Sequence, residues 1–87
     1  MAHASKRLEV VRIQTGVRIE RRLLKVLKAL AGYKNMSLGD LLEGIVLHAF
    51  DGKLPFTAAT LRKISELKDV YDLALDAGAR HLLKERA

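Results

Sequence analysis

From Arg12 onward the chain alternates: Ile13, Thr15, Val17 and Ile19 fall on one side, and Arg12, Gln14, Gly16 and Arg18 on the other. A period of two with β-branched residues on the apolar side predicts a half-buried β-strand. No other segment carries that signal. The period then changes to 3.6. Leu23, Leu24, Val26, Leu27, Leu30 and Ala31 gather into one stripe of a helical projection, with Arg21, Arg22, Lys25 and Lys28 opposite. Gly32 is the expected stop, because glycine accepts the left-handed conformation that closes a last turn. After Tyr33–Met36, the run Ser37-Leu38-Gly39-Asp40 has the form of a capping box. The helix it opens is expected to bury Leu38, Leu41, Leu42, Ile45, Val46 and Ala49, and to end at Asp51-Gly52. Residues 53–56 read as a linker and Thr57 as another N-cap. A third helix follows, with Leu61, Ile64, Leu67, Tyr71, Ala74, Leu75 and Leu82 along one side and Gly78 as a candidate break.

A lone strand leaves both edges of its backbone unpaired. The twin strand of a second copy, antiparallel about a two-fold axis, would satisfy one of them. The expected fold is therefore mostly α: one N-terminal strand shared in an intertwined homodimer, two core helices, and a C-terminal helical extension. Composition points the same way. The chain has 87 residues, room for one domain, of which 49% are hydrophobic and only 5% aromatic. So much aliphatic surface in so small a body is most simply buried by oligomerisation. There is no cysteine to cross-link a thin core, which fits a reducing cytoplasm. Neither a signal peptide nor a run long enough to cross a bilayer is visible, so no membrane is expected as partner.

Charge narrows the partner. Residues 1–34 hold nine Lys and Arg against Glu9 and Glu20, whereas residues 35–87 hold seven against eight Asp and Glu. The whole excess of +6 belongs to the first part, and a focused positive end suits a polyanion. On a two-stranded ribbon, Arg12, Gln14 and Arg18 would be displayed twice. Such a ribbon fits the major groove of double-stranded DNA, where arginine pairs with guanine and glutamine with adenine.

Strand, helix, short turn and helix, with Val17-Arg18-Ile19-Glu20 passing into Leu23-Leu24-x-Val26-Leu27-x-x-Leu30-Ala31 and a second start at Asn35-Met36-Ser37-Leu38-Gly39-Asp40-Leu41-Leu42, resembles the Arc, MetJ and CopG type of ribbon-helix-helix repressor. The resemblance covers roughly residues 8–51. It implies a transcriptional repressor whose base-reading positions correspond to Gln14, Gly16 and Arg18, with Arg12 one step earlier on the same face. Gly16 departs from the pattern, having no side chain where the family reads a base. The family's phosphate anchor, the amides opening the second helix, corresponds to Ser37, Leu38 and Gly39, with Lys34 beside it; a helix start attracts phosphate on physical grounds as well. The implied organisation is a flexible basic arm (1–7), a DNA-binding domain (8–52) and a C-terminal extension (53–87).

Blander readings stand beside these. Arg12 and Arg18 also suit a solvated strand face, and Arg21, Arg22, Lys25 and Lys28 a solvated helix face. Ser37 is a cap first. The third helix, with Glu66, Asp69, Asp72 and Asp76 giving it an acidic side, reads as extra packing or as a surface for a partner protein, as in an antitoxin of this fold. A helix-turn-helix is a weaker alternative, because the outward side of the second helix carries Asp40, Glu43 and Leu47, which suit DNA poorly. His3, His48 and His81 lack metal-ligand spacing, and no nucleophile–base pair or phosphate loop stands out. Neither a metal, a cofactor nor an enzymatic activity is expected.

Overall fold

The computed structural model describes residues 7–86. Three helices follow one another: α1 (Arg21–Tyr33), α2 (Leu38–Phe50) and α3 (Ala58–Val70), and a single 3₁₀ turn spans Ala77–Ala79. Each helix is opened by a side chain. Glu20 accepts from the Leu23 amide, Ser37 from the Asp40 amide and Thr57 from the Thr60 amide, satisfying donors that the first turn leaves free.

The three ends share one geometry. Asn35 (φ 59°), Gly52 (φ 68°) and Asp72 (φ 57°) each take the left-handed conformation just past a helix. The next amide returns to a carbonyl of the last turn, Met36 to Ala31, Lys53 to His48 and Leu73 to Lys68, each at 2.9 Å. This is the Schellman closure. It moves two expected boundaries. Gly32 does not stop α1, which runs on to Tyr33 and turns at Asn35. The third helix ends at Val70, well short of Leu82, because Asp72 supplies the left-handed residue before Gly78 is reached.

The core is built around α1. Leu30 (1% exposed), Ala31 and Leu41 form its centre, with Leu27, Ile45, Phe56, Ile64 and Leu67 packed against them. Among the described residues α1 packs closely on both α2 and α3, while the backbones of those two stay apart from each other. Lys63 lies 4.8 Å above the Tyr33 ring, and Thr60 is buried with its hydroxyl bonded to Lys34 and Thr57. On α2 only Leu41 is buried; Leu38, Leu42 and Ile45 are half-buried, and Val46 and Ala49, expected in the core, are exposed.

The expected β-strand is not there. Residues 7–20 have no regular secondary structure, and the described residues contain no strand or sheet. Ile13 and Val17, which were to face a core, are 81% and 74% exposed. A strand is stable only within a ladder, and this chain has no second segment of matching pattern. The shared two-stranded ribbon and the ribbon-helix-helix architecture are accordingly replaced by a three-helix arrangement preceded by an extended segment. Residues 1–6 of the expected flexible arm, with His3, lie outside the described residues.

Candidate nucleic-acid interface

The four residues expected to read bases lie on the extended segment, all exposed. Two of them are engaged by carboxylates. Arg12 Nε donates to Glu43 Oε2 and Nη2 to Oε1, both at 2.9 Å, and Asp40 stands 4.0 Å away. This is a bidentate fork, the strong form of an arginine–carboxylate pair. It holds the guanidinium charged above its ordinary range and draws the Glu43 carboxyl below its own, chiefly through the shared hydrogen bonds. Arg18 pairs with Glu85 near the C-terminus. Gln14 makes no side-chain hydrogen bond among the described residues, and a Cβ added at Gly16 would meet nothing, so no close approach requires glycine there.

The expected phosphate anchor lies at the start of α2. Ser37 caps α2, and Leu38 and Gly39 open it, but Asp40 in the same first turn already sets a negative charge at the positive end of the helix. A phosphate there would meet that charge. Lys34 is the C-cap of α1, and its ammonium reaches Thr60 on α3 at 3.4 Å. Arg12 is the one candidate reader brought to the start of α2, through Asp40 and Glu43. Replacing Ser37 with alanine is expected to cost roughly 1 kcal/mol of stability through the lost cap, read as a lower urea midpoint; a cap-independent Ser37 would leave the midpoint unmoved.

Arg21, Lys25 and Lys28 offer what the segment does not. They recur at four- and three-residue spacing on the side of α1 opposite Leu30, are all exposed, and make no ion pair among the described residues. Arg22 differs. It turns to Glu20 at 3.0 Å and to the Asp72 carbonyl at 3.3 Å, tying the start of α1 to the end of α3. The cap bond from the Leu23 amide, followed by burial that opposes it and by Arg22, sets the Glu20 carboxyl below its ordinary range. Sequence reasoning treated the whole row Arg21 to Lys28 as solvated; the signal separating three of them is their recurrence at 21, 25 and 28 without a facing carboxylate.

On the opposite side of α1 lies an apolar groove of 410 Å³ between α1, α3 and the C-terminal segment, lined by Leu23, Leu27, Ile64, Leu73, Leu75 and Leu83 among others. No group of three or more His, Cys, Asp or Glu among the described residues is arranged to hold a metal ion. No described helix is long and apolar enough to cross a membrane. Compared with known proteins, the chain matches no family model, no curated sequence and no solved structure.

Proposed function

We propose that this chain binds double-stranded DNA as a homodimer and regulates transcription, acting as a repressor by occupying its site. The observation that carries the reading is the unpaired basic row Arg21, Lys25 and Lys28 on the outer side of α1, in the part of the chain that holds the whole positive excess. Rows of free cations at helical spacing track a phosphate backbone, which supplies most non-specific affinity for DNA. Sequence preference would come from Gln14 and Arg18, whose side chains suit adenine and guanine edges. The likeness of residues 8–51 to Arc, MetJ and CopG supports DNA as the ligand; the ribbon those repressors use forms no part of this proposal. A second copy is invoked because α2 leaves Leu47 and Phe50, 63% and 81% exposed, on a helix with little polar surface.

Fluorescence anisotropy with labelled duplexes tests it. Affinity is expected to fall roughly a thousandfold between about 50 and 200 mM salt if some six phosphates are contacted. Gln14→Ala and Arg18→Ala should flatten the preference between sequences while leaving the helical circular dichroism unchanged. Affinity that ignored salt would defeat the reading.

One observation favours a second reading. The apolar groove beside α3 has the size and lining to take side chains of another protein, so the C-terminal extension would clasp a partner while DNA binding served autoregulation, as in an antitoxin. Loss of partner capture after groove substitutions such as Leu75→Asp, with DNA affinity retained, would separate the two.

A further inference from the structure

The described residues contain five side-chain ion pairs, and two of them are local: Arg22 with Glu20, and Lys63 with Glu66. The three that span the chain all fall on two arginines of the extended segment, Arg12 with Glu43 across 31 positions and with Asp40 beside it, and Arg18 with Glu85 across 67. Nothing else of comparable strength holds that segment. Val10, Val11, Ile13 and Val17 are 63–94% exposed, and no backbone hydrogen bond joins residues 7–19 to another described residue.

A carboxylate accepting both donors of a guanidinium fork occupies the geometry in which a phosphate would be held. We infer that Glu43, supported by Asp40, is a specificity-determining residue that stands in for phosphate on Arg12, so that only a ligand of high anionic density displaces it and frees the segment to bind. The inference rests on the DNA reading for its ligand. Glu85 pairs with Arg18 in turn. An isolated anion must break the fork for a single contact. A duplex presents a phosphate charge about every 1.7 Å along its axis and offers contacts to the α1 row at the same time. The exposed pair is weak enough to be exchanged, since such pairs hold by no more than a few-fold in equilibrium constant.

The test uses the full chain and a labelled mixed-sequence duplex at low salt. Glu43→Gln keeps the shape and removes the charge. It is expected to tighten binding roughly twofold to fivefold, whereas Asp69→Asn, which removes a charge that pairs with neither arginine, gains less. On an Arg12→Ala background Glu43→Gln should gain no more than Asp69→Asn, because the competed arginine is gone. Equal gains from Glu43→Gln and Asp69→Asn, or a full gain without Arg12, would overturn the inference and leave the DNA reading standing. If the unaltered protein bound no duplex, that reading would fall. The latch is then judged on the ¹⁵N relaxation of Arg12 Nε: faster motion in Glu43→Gln supports it, and unchanged motion overturns it.

Discussion

Replacing Leu30 with alanine is expected to remove a large part of the stability of this protein. Leu30 is the most deeply buried large side chain described, and it sits where α1 meets the residues of α2, the α2–α3 link and α3. Truncating such a leucine costs about 2–5 kcal/mol, because the lost transfer free energy is joined by a cavity that neighbours fill only in part. A chain of this length commands only about 4–13 kcal/mol in all. Urea unfolding followed by circular dichroism should show a much lower midpoint with little change in slope. Leu47→Ala, on the exposed side of α2, is the comparison: within the single chain it should cost less than about 0.5 kcal/mol. A larger, concentration-dependent loss at Leu47 would show that a second copy covers α2.

The second large effect concerns the α1 row. Replacing Arg21, Lys25 and Lys28 together with alanine should leave the fold intact, since all three are exposed on the side away from Leu30 and alanine is a strong helix former. Each lost phosphate contact lowers the dependence of log K on log salt by about one, so the slope should fall by about three. An unchanged slope would place the DNA-binding surface elsewhere. The same triple change should affect all duplexes alike, in contrast to Gln14→Ala and Arg18→Ala, because phosphate contacts carry no base information.

The helices were legible because their instructions are local. Ser37 and Thr57 cap within three residues, and the stripe from Val26 to Ala31 needs only a 3.6 period. The helix ends were harder to place. Of the three left-handed closures only Gly52 falls on a glycine; Asn35 and Asp72 pay a small steric cost that their short polar side chains tolerate, and a glycine search passes over both. The alternation from Arg12 to Ile19 misled for a different reason. A period of two specifies which side chains share a face, but says nothing of where the partner backbone comes from, and the chain supplies none. The candidate site shifted on the same ground. Spacing showed which residues shared a side, but the carboxylates that engage Arg12 and Arg18 lie 31 and 67 positions away, beyond any local pattern. The capping box at Ser37 was read correctly as a cap; what it could not reveal is that Asp40 also stands beside Arg12.

Because α1 packs on both α2 and α3 while the backbones of those two stay apart, the exposed Leu47 and Phe50 of α2 take no part in lining the groove beside α3. A companion molecule lying along α2 need not disturb one seated in the groove beside α3, and neither would have to touch the charged outer row of α1.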